Sequence, residues 1–235
     1  MTDNPRSTIP QIDRESLIKK RLPLGGARVI DIGCGEGWFT QLVASESESI
    51  IGIDPSKTAI ERASAANSSA NATYHLASAD NLPVEDSWAD IVVYYNSLHH
   101  VPTELQPKAL KETARVLAPG GLLLIVEPLA KGSAYELFQP VEDEAAVYDT
   151  TLQLILGIAA SEEFEQDLEE LFIDSYVYAS FDEFLDHVLV VDEQRKRVLT
   201  DLEKDLRKRF DHLGEPVEGG RSYEQVHRLN LLRRL

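Results

Sequence analysis

Apolar positions in the first 130 residues fall into short continuous runs separated by stretches with helical spacing. ARVIDI at 27–32 is rich in β-branched residues and is followed at once by glycines, so it predicts a buried strand. From Trp38 to Ala44 the spacing turns helical, with Trp38, Leu42 and Val43 on one face. SIIGID at 49–54 is a second strand, and Pro55 fits the first turn of the helix that follows it. Further strands are expected at YHLAS (74–78), DIVVYYNSL (90–98) and GLLLIVE (121–127), with a helix near 103–117 whose start Pro107 can delay by a few residues. Strands apolar on both faces, alternating with helices, describe a parallel sheet covered on both sides, the Rossmann-like αβα arrangement in which ligands bind at the carboxyl ends of the strands.

After residue 130 the pattern changes. A mostly helical stretch is expected over about 140–170, a strand over LFIDSYVYAS (171–180), and a helix over 192–213 with Val198, Leu202, Leu206, Phe210 and Leu213 on one face. YEQVHRLNLLRRL reads as a closing strand. The expected organisation is an N-terminal helical segment (1–24), a Rossmann-like core (25–130), and a helical insertion or lid with closing strands of the same domain (131–235).

The charge is distributed unevenly. Of the formal −17, residues 131–193 hold 17 acidic groups against one basic. A chain this acidic repels nucleic acid and anionic lipid, which argues against either as a partner. The acidic stretch reads either as a solvated helical face or as a cover that attracts a cationic acceptor. A lone cysteine, Cys34, excludes an internal disulfide and a cysteine-based zinc site, and with no long apolar run the expected setting is the cytoplasm.

The chemistry concentrates in Asp31-Ile-Gly-Cys-Gly-Glu-Gly37, a glycine turn that follows a strand and opens a helix. A dinucleotide-binding GxGxxG would place its third glycine at position 38, which is Trp38, and Glu36 would face phosphates with a negative charge. S-adenosylmethionine carries no phosphate and has an ammonium and a sulfonium, which Asp31 attracts and Glu36 tolerates. Asp54, at the end of the second strand, suits both ribose hydroxyls. Asp80, after the third strand, suits an adenine amino group. Each acid alone could instead be a loop or capping residue; three at the ends of successive strands point to a nucleoside site.

VIDIGCGEGWFT, IIGIDPS, ASADNLPVEDSWADIVVYYNSLHHV and RVLAPGGLLLIVEP together resemble the successive motifs of class I S-adenosylmethionine-dependent methyltransferases, of the type that includes ubiquinone and menaquinone biosynthesis enzymes. The resemblance covers roughly residues 25–130. It implies a seven-stranded, mostly parallel sheet with an antiparallel last strand. It also places Asp31 and Gly33 at the methionine end, Asp54 at the ribose, Asp80 and Asn81 at the adenine, and Asn96 near the methionine moiety. The expected cofactor-binding set is therefore Asp31, Gly33, Gly35, Gly37, Asp54, Pro55, Asp80, Asn81 and Asn96.

Methyl transfer from a sulfonium rests on alignment and desolvation, and needs a base only when the attacking atom must lose a proton. His100, just past the fourth strand, is the expected base, with His99 behind it; either could instead pack or cap the next turn. Glu127 could orient an acceptor amine or hydroxyl, or cap a loop. Tyr135, Glu142, Asp143 and His227 are weaker cleft candidates, and no metal site is expected from the spacing of His, Asp and Glu. The function these readings imply is methylation of an O, N or C atom of a small-molecule acceptor. The competing possibility is a non-catalytic sensor that keeps the cofactor site.

Overall fold

The computed structural model describes residues 9–191 and 195–235. Helix α1 (Arg14–Arg21) starts where the Asp13 carboxylate accepts the Ser16 N–H at 2.9 Å, and it ends on Lys19, Lys20 and Arg21, which suit the negative end of the helix dipole. There follow β1 (Arg28–Ile32), α2 (Trp38–Ala44), β2 (Ser49–Asp54), α3 (Lys57–Ala66), β3 (Ala72–Leu76) and β4 (Ala89–Tyr95). A single 3-10 turn (Leu98–His100) leads to α4 (Gln106–Val116) and β5 (Leu117–Pro128). Pro107 sits in the first turn of α4, where its missing N–H costs nothing. The second half comprises α5 (Ser133–Phe138), α6 (Ala145–Ala159), β6 (Phe164–Tyr178), α7 (Phe181–Val191), α8 (Arg195–Leu213), β7 (Glu215–Val217) and β8 (Gly220–Arg234).

The sheet has eight strands in the order β3-β2-β1-β4-β5-β8-β6, with β7 hairpinned onto β8. It is parallel from β3 to β5 and antiparallel at its C-terminal strands, the expected fold with one strand added. Three expectations need correcting. Helix over about 140–170 gives way to strand: α6 stops at Ala159 and β6 begins at Phe164, because FEQDLEELF alternates between inward and outward positions despite its acid-rich, helix-like composition. Pro55 precedes α3 rather than entering it, since Ser56 is the N-cap and accepts the Ala59 N–H at 3.3 Å. Seven expected strands become eight through the short β7.

By packing, the chain forms two compact units, and β6 and β8 each contribute a part to both. Residues 12–127, 147–170 and 228–235 form one, around a core that includes Ile30, Ile53, Val92, Tyr94, Leu123 and Ile125. β1 and β4 have consecutive buried residues because helices cover both faces. In this unit the acids of β6 meet arginines: Glu169 pairs with Arg228 at 2.6 Å, Asp167 with Arg233, and Glu170 takes both a 3.0 Å and a 2.5 Å bond from Arg21. Part of the acidic stretch is thus neutralised within the fold. The other unit, residues 128–146 and 171–227 with residues 9–11, has an aromatic core in which Phe181, Phe184, Phe210 and Tyr223 pack ring against ring. No helix among the described residues is long and apolar enough to cross a membrane.

Candidate functional site

Parallel register aligns the ends of four strands. Ile32 of β1 lies beside Ile53 of β2 and Tyr94 of β4, and Tyr95 lies beside Val126 of β5. Beyond these ends opens a cavity of about 640 Å³ lined by Gly33, Gly35, Asp54, Pro55, Asp80, Asn96, Ser97 and His100, together with the apolar Ile32, Ile53, Ala77, Ala79, Val101, Pro102 and Leu105.

The glycine turn is fixed by its neighbours. Gly33 and Cys34 both donate to the Ile53 carbonyl, at 2.7 and 3.1 Å, while Gly35 donates to Asp54 Oδ2 at 2.9 Å. Asp54 Oδ1 accepts the Ser56 N–H at 2.7 Å. Each carboxylate oxygen of Asp54 therefore spends one lone pair on backbone and keeps another for a ligand. Gly33 has φ +73°, and a Cβ there would collide with Ser97, whose hydroxyl donates to the Ile32 carbonyl at 2.6 Å. Gly37 has φ +87°, and a Cβ there would lie 2.6 Å from the Tyr74 hydroxyl.

Asp31 is buried and off the cavity wall. Its Oδ2 accepts the Thr40 hydroxyl at 2.7 Å, and burial pushes its carboxyl up to about 7. Asp80 is on the wall and pairs with Lys108 at 2.8 Å, whose ammonium holds it below the usual carboxylate range. Asn81 is exposed and off the wall, with its N–H on the Ser78 carbonyl at 3.1 Å. Glu36 of the glycine turn faces Arg62 at 2.7 Å, so its charge is largely met on the surface.

Asn96 is a non-glycine residue in left-handed conformation, with φ +52°. Its N–H donates to Val126 O at 2.8 Å, and its buried Oδ1 has no hydrogen-bond partner among the described residues. A strained backbone and an unmet acceptor on a cavity wall are the marks of a group waiting for a donor.

His100 is exposed on the wall, whereas His99 is buried behind it with ring centroids 4.0 Å apart. Glu127 is buried at the end of β5, where Oε1 accepts the Leu98 N–H at 2.9 Å and Oε2 meets His99 Nδ1. Tyr135 and Asp143 bond to each other at 2.8 Å and belong, with Glu142 and His227, to the other unit; His227 is fully buried and stacked on Phe172 at 5.2 Å.

The residue pattern did not single out Ser97, Lys108 or Tyr74. Tyr74 reaches beneath the glycine turn past Gly52, where a Cβ would stand 2.7 Å from the ring. A glycine inside the strand SIIGID was the available signal, since such a glycine marks a close approach. Cys34 is buried beside this ring, and burial pushes its thiol up, away from the thiolate form.

Residues 30–125 match the methyltransferase-domain family. A ubiquinone biosynthesis O-methyltransferase of Xanthomonas oryzae pv. oryzae is 32% identical over 129 residues, which cover 52% of this chain and 53% of that protein. The chain thus spans about half the length of the curated relatives it matches. Among solved structures, a candidate methyltransferase of Bacillus halodurans C-125 superposes with a TM-score of 0.64 at 22% identity, covering 94% of this chain and 98% of that one. The [4+2]-cyclase SpnF superposes with a TM-score of 0.61 at 20% identity, covering 93% and 79%. One fold therefore carries more than one chemistry, and the site has to decide between them.

Proposed function

We propose that this chain, whose residues 30–125 match the methyltransferase-domain family, transfers the methyl group of S-adenosylmethionine to a small-molecule acceptor. One observation carries the reading. The cavity at the strand ends is lined by two carboxylates, Asp54 and the Lys108-paired Asp80, and an unmet amide oxygen, with no lysine or arginine among the described lining residues. Such a wall repels phosphate and favours a cationic nucleoside with hydroxyl and amino donors.

When bound, S-adenosylmethionine supplies an electrophilic methyl group on a sulfonium. The chain's part is to hold it and align the acceptor. Asp54, pre-set by the Gly35 and Ser56 N–H groups, accepts the two ribose hydroxyls beside Pro55. Asp80 serves the adenine edge, while Asn81 stands beside it, exposed and off the wall. Asn96 Oδ1 accepts from the methionyl ammonium, with Gly33 at close approach and Asp31 buried behind the turn on Thr40. Gly35 and Gly37 keep the turn free of side chains. His100 stands where an acceptor proton can be taken. Arginines beside Glu169, Asp167 and Glu170 weaken the case that the acidic stretch steers a cationic acceptor.

Titration calorimetry with S-adenosylmethionine and S-adenosylhomocysteine tests the reading. Binding in wild type that falls at least tenfold in Asp54→Ala is expected. Absence of binding, or preference for NADH, would overturn it. Release of S-adenosylhomocysteine from an acceptor panel separates an enzyme from a sensor.

A further inference from the structure

Resting on that reading, we infer that Glu127 and His99 are a positioning pair that fixes the turn carrying Asn96 and His100 onto the cavity wall. The turn from Ser97 to Val101 closes on its own His100 N–H to Ser97 carbonyl and Val101 N–H to Leu98 carbonyl bonds, at 3.2 and 3.1 Å, and is held from two sides. Gln106 of α4 donates from Nε2 to the carbonyls of Leu98 at 3.2 Å and Val101 at 3.1 Å. Glu127 of β5 takes the Leu98 N–H on Oε1 at 2.9 Å and meets His99 Nδ1 with Oε2. Both ends of one carboxylate are thus spent on consecutive residues of one turn. Neither Glu127 nor His99 lines the cavity, so they act through Asn96 and His100, which do.

Chemistry fixes more than position. As acceptor of both bonds, the Glu127 carboxylate selects the form of the His99 ring that carries its proton on Nδ1. The oriented ring then packs against His100 at 4.0 Å and against the edge of Tyr148 at 5.0 Å, which sets where the His100 imidazole can stand. For the methyl-transfer reading this matters most when the acceptor is a hydroxyl. There an oxygen lone pair forms the bond to the methyl carbon, the carbon–sulfur pair leaves with sulfur, and the hydroxyl proton goes to His100.

Glu127→Gln separates positioning from simple support of the fold. The Leu98 N–H claims the amide oxygen, which turns the NH₂ toward His99 Nδ1 and forces the ring proton to Nε2. Nitrogen NMR of histidine-labelled protein should show His99 protonated at Nδ1 in wild type and at Nε2 in Glu127→Gln. S-adenosylhomocysteine affinity should stay within threefold in Glu127→Gln and drop about tenfold or more in Glu127→Ala, where the turn is released. If Glu127→Gln keeps the Nδ1 form, or Glu127→Ala binds like wild type, the inference is wrong. Should wild type not bind S-adenosylhomocysteine at all, the functional reading fails, while the ring-proton measurement still judges the Glu127–His99 pairing.

Discussion

Replacing Asn96 by glycine should make the protein more stable and a poorer binder at once. In the wild type the residue carries two costs: a left-handed backbone at φ +52°, and a buried Oδ1 with no partner among the described residues. Left-handed conformation costs a non-glycine residue roughly 1–2 kcal/mol, less for Asn than for most. A buried unmet acceptor costs about 1–3 kcal/mol. Glycine removes both, at an entropic cost of roughly 0.5–1 kcal/mol in the unfolded chain. A net gain on the order of 1 kcal/mol is expected. The same change deletes the acceptor proposed for the ligand ammonium, a charge-assisted bond worth about 1.5–3 kcal/mol, or roughly 10- to 100-fold in affinity. Asn96→Ala is the control, because it loses the acceptor while keeping the strained backbone. Denaturant unfolding should therefore place glycine above wild type and alanine below glycine by about 1 kcal/mol. Calorimetry with S-adenosylhomocysteine should weaken alike for both. A glycine variant that is less stable than wild type, or that binds as tightly, would refute the account of this residue.

Three further outcomes follow from the geometry. Asp31 has a folded-state carboxyl raised to about 7 from 3.8, so between those values the folded chain binds more protons than the unfolded one, and stability falls as pH rises through that window. Asp31→Asn keeps a partner for Thr40, so its advantage over wild type should grow from pH 4 to pH 7, up to about 4 kcal/mol; thermal unfolding at several pH values reads this, and a pH-independent difference counts against it. Gly52→Ala should destabilise by about 1–3 kcal/mol through collision with the Tyr74 ring, and Tyr74→Ala in the same chain should recover part of the loss, as a double-mutant cycle by chemical denaturation would measure. Glu170→Gln should cost about 1–2 kcal/mol, since it breaks a part-buried bidentate pair with Arg21, and added salt should narrow the gap only slightly.

Much of the sheet was legible because its strands are buried on both faces: RVIDI and SIIGID have no polar alternation to confuse with helix, and their ends announce the glycine turn and Asp54 directly. The start of β6 was hidden because Glu165, Asp167 and Glu169 favour helix by composition, while their outward alternation only stabilises once arginines of β8 stand opposite. Within the candidate site, residues that act from strand ends were readable, since parallel register alone brings Gly33, Asp54 and Asn96 together. What local sequence does not encode is direction. Asp31 turns inward to Thr40 and Asn81 outward to solvent, and both orientations depend on packing from elsewhere in the chain. The pairing of Glu127 with His99 joins residues 28 positions apart, so neither residue alone advertised it.

The place of β8 in the sheet bears on how the chain reaches this structure. β8 lies between β5 and β6, and Arg234 bonds the Leu117 carbonyl, 117 residues away in sequence. Until that strand is made and threaded into place, the edge of β5 stays open, with a row of apolar residues from Leu122 to Val126 behind it. Closure by so distant a partner is slow, because the loop entropy is lost before the contacts form. Until then the half-built sheet has an open apolar edge, and the arginine–acid pairs between β8 and β6 form only when the correct strand fills it.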